Sequence, residues 1–137
     1  MSGQKVSSET AQGSSSFAEL PQPERDVLAS VPTGLWIGGA WRDESDGTLD
    51  VHDPSTGEVI AAVADATADD GLAALAAAAE AQDSWAATAP RERGEILRRA
   101  FELLTARTDE LALLMTLEMG KPLAESKGEI TYAAEFL

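Results

Sequence analysis

Hydrophobic and polar positions change their pattern twice along the chain, and each change predicts a different kind of structure. Up to about residue 32 the residues are mostly small and polar, as in the serine-rich run 7–16. Such a segment cannot bury enough apolar surface to offset the entropy that ordering costs. We therefore expect residues 1–32 to be a disordered tail, and we assign it no function.

Short β-prone runs follow the predicted tail. Residues 35–37 and 40–42 flank a Gly-Gly pair, and two glycines accept the positive φ angles that a two-residue hairpin turn requires. Residues 49–52 and 59–63 flank a second turn, which contains proline and glycine. The pattern predicts a small antiparallel arm of strands over residues 35–63.

From Thr67 onward the apolar spacing changes from two to about 3.6 residues, which predicts helices. Thr67 can serve as an N-cap, and Asp69 and Asp70 would lie near the positive end of the helix dipole. Trp85 would anchor the end of this first helix. The predicted helices cover about residues 68–82, 90–107, 109–119 and 123–137.

Residues at the helix ends support these boundaries. Pro90 stands where a helix tolerates proline, and Thr108 can cap the third helix. Gly120 can end that helix as its C′ residue. Glu95 precedes Arg99 by four residues, a spacing worth roughly 0.3 kcal/mol to a helix.

The apolar faces of these helices are larger than the short strands of the arm can cover. The last helix also continues to Leu137 without a glycine, a proline or a basic last turn to end it. We therefore expect a truncated chain whose apolar faces bind a hydrophobic dye. The apolar positions on the first two helices are Leu72, Leu75, Ala76, Ala79, Ile96, Leu97, Ala100, Leu103 and Leu104.

Composition and charge exclude several classes of function. The 137 residues suffice for one domain, and 24 acidic residues against 10 basic ones disfavour binding to nucleic acid or anionic lipid. We see no apolar stretch of about 20 residues and no signal peptide, so we expect a cytoplasmic location without a membrane partner. The chain has no cysteine, which excludes disulfides, thiolate zinc sites and a cysteine nucleophile.

Candidate chemical groups each have a simpler structural explanation. His52 is the only histidine and cannot form a usual metal site or dyad alone. Asp69 and Asp70 suit a first helical turn, and Lys121 suits a helix C-terminus. Glu118 would lie in the last turn of its helix, where the helix dipole disfavours an acidic residue. It is either a solvated surface residue or a residue with a structural role near the turn that follows. No glycine-rich phosphate loop is present, and we assign no catalytic, cofactor-binding or metal-binding residue.

The order of these motifs from Leu35 to Leu137 resembles the aldehyde dehydrogenase superfamily. The matching features are the opening hairpin, the turn Asp53-Pro54-Ser55-Thr56-Gly57-Glu58, the alanine-rich helix, Trp85 and Arg91. The most specific stretch, residues 114–130 (LMTLEMGKPLAESKGEI), is similar to succinate-semialdehyde dehydrogenases.

This resemblance implies an α/β fold of which the present chain is the mainly helical N-terminal portion, ending before the cofactor-binding sheet. It implies oxidation of an aldehyde, in particular succinate semialdehyde, to the acid, with NAD or NADP as hydride acceptor. The family's cysteine, glutamate base and asparagine oxyanion donor lie downstream, so we expect this chain alone to be inactive and to bind no cofactor. Glu118 and the backbone near Val51 match positions that can hold a monovalent cation. The complete protein would be a homo-oligomer.

One alternative is a standalone acidic helical protein that binds a partner, such as a full-length dehydrogenase subunit, through the same apolar faces. The sequence leaves the choice between NAD and NADP open, because the discriminating residues follow the cofactor-binding strands. It also leaves the aldehyde open, since the resembling region does not touch substrate.

Overall fold

The fold is built from short strands followed by four consecutive helices, with one helix before them. A computed structural model describes residues 20–42 and 47–137 of the chain. The mainly helical architecture with a small antiparallel strand arm confirms the predicted fold class. In chain order the elements are α1 (Gln22–Ser30), β1 (Leu35–Ile37), β2 (Ala40–Arg42), β3 (Thr48–His52), β4 (Val59–Ala64), α2 (Ala68–Ala87), α3 (Pro90–Ala106), α4 (Thr108–Met119) and α5 (Leu123–Ala134).

The strand arm consists of two separate two-stranded antiparallel sheets. In the first, Trp36 lies opposite Trp41, and the turn residues Gly38 and Gly39 have φ angles of 63° and 82°. The predicted hairpin is therefore confirmed, since these angles are easily accessible only to glycine. In the second sheet β3 pairs with β4, and the register shifts by one residue near His52.

The hydrophobic core joins elements that are far apart in the sequence. Leu28 of α1, Ile60 of β4 and Leu117 of α4 are all buried and form one cluster. Val51 of β3 and Leu114 of α4 pack against this cluster. The core therefore ties the strand arm and the first helix to α4.

Helix α1 corrects the predicted extent of the tail. Residues 22–30 were expected to be disordered, but they form a helix that begins after Pro21 and buries Leu28 to 8% exposure. The prediction was wrong here because the partners of Leu28 lie about thirty and ninety residues away, where local composition does not reveal them. Residues 1–19 lie outside the described part of the chain.

Several helix ends also differ from the prediction. Helix α2 continues past Trp85 to Ala87, and α5 ends at Ala134. Thr108 does not cap α4, because its hydroxyl donates to the Thr105 carbonyl at 2.7 Å.

The predicted ion pair on α3 was misplaced, whereas the predicted residues at the start of α2 and at the end of α4 are confirmed. The Glu95 carboxylate pairs with Arg98 at 2.9 Å, whereas Arg99 contacts only the Glu95 carbonyl. The predicted cap at Thr67 is confirmed, and so is the left-handed C-terminal residue Gly120, with φ 71°.

Candidate functional site

The exposed apolar side of α2 is the first part of the candidate site. None of the twenty residues of α2, all of which the structure describes, is buried. Leu72, Leu75 and Trp85 remain 63%, 66% and 43% exposed. We call these three residues, with the alanines between them, the α2 face. An apolar helix side of this length is normally covered in a folded protein.

Helix α3 has a similar exposed side. Its seventeen residues, again all described, include no buried one. Ile96, Leu97 and Leu103 are 42%, 40% and 66% exposed, and we call them the α3 face. The predicted excess of apolar helix surface is therefore present, even though α3 contacts α5.

A groove runs along the α2 face, with the first hairpin beside it. Ala77 of α2 lies close to the hairpin turn, since a Cβ built on Gly38 would stand 3.8 Å from its Cβ. Trp36 and Trp41 on the hairpin contact each other with ring centroids 5.0 Å apart. The residues lining the groove are Leu75, Ala78, Ala79, Ala81, Gln82 and Trp85.

The chemistry of this groove suits docking better than catalysis. Its lining contains alkyl and indole groups and a single amide, Gln82, and no ionisable side chain. Acid–base or nucleophilic catalysis requires a positioned titratable group or nucleophile, which these side chains do not supply. The surface can therefore remove apolar area from water when a complementary surface covers it.

Asp53 is the one buried carboxylate in the described part of the chain, at 6% exposure. Its Oδ1 accepts from the Ser55 amide at 2.8 Å and from the Ser55 hydroxyl at 2.7 Å, and Oδ2 accepts from the Thr56 hydroxyl at 3.2 Å. These hydrogen bonds, above all that from the Ser55 hydroxyl, hold the pKa of the Asp53 carboxyl below its ordinary value. The turn was predicted from the sequence, but the burial and hydrogen bonding of this carboxylate were not, although the spacing of Asp53 and Ser55 could have indicated them.

The other candidates from the sequence have local structural roles. The exposed His52 ring places Nδ1 3.3 Å from the Gly57 carbonyl. Asp70 forms a capping box with Thr67, whose hydroxyl lowers the pKa of the Asp70 carboxyl. Asp69 is exposed in the same first turn. The structure therefore brings no two of these groups together as a catalytic pair.

Glu118, Lys121 and Val51 lie near the end of α4 or in the strand arm. Glu118 is exposed, and Lys121 forms an ion pair with Glu129 of α5. Val51 packs against the core, so the cation site that the resemblance suggested for its backbone and Glu118 stays a prediction. Across residues 20–42 and 47–137 no three histidine or acidic side chains are grouped closely enough to hold a metal ion. Within those residues no helix has the length and apolar character needed to span a bilayer.

Comparison with known proteins gives a consistent family. The model of the aldehyde dehydrogenase family matches residues 41–137. Succinate-semialdehyde dehydrogenase of Paenarthrobacter nicotinovorans is 66% identical over 79 residues, which are 58% of this chain and 18% of that protein. Glutarate-semialdehyde dehydrogenase of Pseudomonas aeruginosa is 48% identical over 103 residues, which are 74% of this chain and 21% of that protein.

Solved structures that are similar to this chain are aldehyde dehydrogenases as well. The succinate-semialdehyde dehydrogenase of Burkholderia pseudomallei superposes with a TM-score of 0.74 at 46% identity, covering 77% of this chain and 22% of that one. Betaine aldehyde dehydrogenase of Staphylococcus aureus, determined in complex with NAD+, gives 0.74 at 27% identity, covering 83% of this chain and 25% of that one. The chain thus spans about a fifth of the length of the curated relatives it matches.

Proposed function

This chain belongs to the aldehyde dehydrogenase family, and we propose that it forms the N-terminal portion of an NAD(P)-dependent enzyme that oxidises a semialdehyde, in particular succinate semialdehyde. The observation that carries this proposal is the 66% identity with a succinate-semialdehyde dehydrogenase. The similarity to a glutarate-semialdehyde dehydrogenase supports the same substrate class, a short chain with an aldehyde at one end and a carboxylate at the other.

The role of this portion is structural support. The family's oxidation proceeds through a covalent adduct on a cysteine, followed by hydride transfer to the nicotinamide cofactor. This chain has no cysteine, so the nucleophile must come from the remaining part of the enzyme. We therefore infer that the isolated chain does not turn over aldehyde.

The apolar faces of α2 and α3 are the contacts with that remaining part. Leu75 and Leu103 are each 66% exposed, and each belongs to a helix face whose other apolar residues are exposed as well. About four-fifths of the length of each relative lies outside the part that this chain matches. Covering the two faces with that additional structure would bury them and would hold the strand arm beside the catalytic portion.

A chimera tests the proposal. The matching segment of the Paenarthrobacter enzyme is replaced by that of this chain, and reduction of NAD and NADP is measured with succinate and glutarate semialdehyde. We expect activity from the chimera and none from the same enzyme with the segment deleted or from the isolated 137-residue chain. A folded but inactive chimera, or cofactor turnover by the isolated chain, contradicts the proposal.

The exposed faces also favour a second candidate, in which the chain docks on a separate dehydrogenase subunit. The α2 and α3 faces are available for either partner. Gel filtration of this chain mixed with the complete Paenarthrobacter enzyme separates the two: co-elution favours a docking protein, and separate elution favours a covalently joined portion. Homo-oligomerisation and a cytoplasmic location stay predictions.

A further inference from the structure

The connection between α2 and α3 leaves a backbone carbonyl without its usual partner. Only Thr88 and Ala89 lie between the two helices. In a helix, each carbonyl accepts a hydrogen bond from the amide four residues later, so the Ala86 carbonyl would need the amide of residue 90. That residue is Pro90, which has no N–H. The amide of Ala89, which could donate to the Ala86 carbonyl in a tighter last turn, does not bond to it either, so the donor must be a side chain or water.

Arg93 supplies this donor from the first turn of α3. Its Nη1 lies 3.2 Å from the Ala86 carbonyl oxygen and 3.4 Å from that of Trp85. Helix α2 has no basic residue in its own last turn, so the guanidinium also places a positive charge at the negative end of its dipole. The Thr88 hydroxyl donates to the Ser84 carbonyl at 2.9 Å and completes the corner.

We propose that Arg93 is a positioning residue that fixes the α2–α3 corner, so that the α2 and α3 faces bind the rest of the dehydrogenase as one preformed surface. The proposal rests on the proposed function for the identity of that partner, the four-fifths of the family's chain that this sequence does not match. Trp85 links the corner to the surface, because its carbonyl faces Arg93 while its side chain lines the groove. A fixed corner lowers the entropy cost of docking both faces together.

Spin labels can measure the corner directly in the 137-residue chain. The chain has no cysteine, so cysteines introduced by Ala76→Cys and Thr105→Cys can be labelled selectively. Both positions are exposed, one on α2 and one on α3. Each lies roughly 20 Å from the corner by helix rise, within reach of pulsed electron resonance.

We expect the wild-type chain to give a single narrow distribution of the distance between the two labels. Arg93→Met keeps an apolar stem but donates no hydrogen bond, so we expect it to lose that narrow peak. Arg93→Lys, which keeps one charge but not the planar fork, should give an intermediate width. Arg91→Met removes an exposed arginine from the same turn and should leave the peak unchanged. A narrow peak in Arg93→Met at the wild-type distance overturns the proposal.

The Arg93→Met and Arg91→Met substitutions, made in the chimera, test whether the corner is needed for assembly of the enzyme. Arg93→Met should reduce the yield of assembled, active chimera while leaving the KM of the assembled enzyme for the semialdehyde unchanged, since the corner does not touch substrate. An equal yield for Arg93→Met and Arg91→Met overturns the docking role. A chimera that is inactive with Arg93 intact contradicts the proposed function, whereas the spin-label distances still test the corner.

Discussion

Gly120 shows how one residue joins the strand arm to the helices. Its φ of 71° lies in the left-handed region, and a Cβ built there would stand 2.9 Å from Cγ of Pro54. Gly120→Ala therefore meets both backbone strain and a steric clash. We expect it to lower the free energy of unfolding by about 2 kcal/mol, measured by urea denaturation with circular dichroism.

Gly128 is the matched control for this substitution. It lies within α5, and a Cβ built on it meets no atom within 4 Å. Gly128→Ala should stabilise the chain by roughly 0.5–1 kcal/mol, because alanine loses less backbone entropy in a helix. Equal effects of the two substitutions would show that the left-handed angle and the Pro54 contact do not matter.

The Asp53 carboxylate makes the stability of its turn depend on pH. Because its pKa is lowered in the folded chain, the ionised form contributes stability above the ordinary value of 3.8, and this is lost as the pH falls through the folded value. Asp53→Asn should cost about 1–2 kcal/mol at pH 7. The difference between the variant and the wild type should shrink from pH 5 toward pH 3 in urea denaturation series.

Asp83→Asn provides the comparison, because Asp83 is an exposed carboxylate on α2 and its removal leaves the turn intact. This variant should follow the wild-type pH dependence. If Asp53→Asn keeps a constant deficit at every pH, the hydrogen bonds of the turn do not favour the ionised carboxyl.

For the helices and strands, the residues that determine local backbone geometry could be identified from the sequence. The glycine pair gave the first hairpin, Thr67 gave the start of α2, and Gly120 gave the end of α4. Each of these depends on φ angles or on hydrogen bonds within four residues. The features that were not predicted depend on distant or competing partners. Buried Leu28 holds α1 against the core, and the Thr108 hydroxyl bonds to the preceding turn instead of capping α4.

The α2–α3 corner was within reach of sequence reasoning but was not found. Pro90 was recognised as a helix start, and its missing N–H already implies that the carbonyl of residue 86 needs another donor. Arg93, seven residues after that carbonyl, is the side chain that provides it. Only the structure shows that Arg93 is the arginine facing the helix end, since Arg91 and Arg99 lie within the same basic stretch.

A substitution at Thr67 tests whether the N-cap stabilises the start of α2, a helix that has no buried residue. The Thr67 hydroxyl accepts from the Asp70 amide at 3.2 Å, and the Asp70 carboxylate accepts from the Thr67 amide at 2.9 Å. Thr67→Ala should cost about 1 kcal/mol and should speed hydrogen exchange in the first turns of α2. Ser84→Ala, in the same helix but away from its start, should leave exchange there unchanged, and equal exchange in both variants would contradict the capping role.

For the whole molecule, the sequence indicated the excess of apolar helix surface but not where it would be greatest. The periodicity gave the faces of α2 and α3, while the structure shows that the core lies instead between α1, β4 and α4. The reason is that periodicity identifies an apolar side of a helix without identifying what covers it. The two candidate functions therefore differ in what covers these faces, which is either the rest of the same enzyme or a separate dehydrogenase subunit.

Leu75→Glu tests what covers the α2 face, because the substitution should have different effects in the isolated chain and in the chimera. In the isolated chain Leu75 is 66% exposed, so its replacement should change the free energy of unfolding by no more than about 0.5 kcal/mol. In the chimera the α2 face would be covered, and a buried unpaired carboxylate should prevent assembly and activity. Asp83→Asn on the same helix should be neutral in both. If Leu75→Glu leaves the chimera fully active, the α2 face stays open to solvent in the complete enzyme and is available for a separate partner.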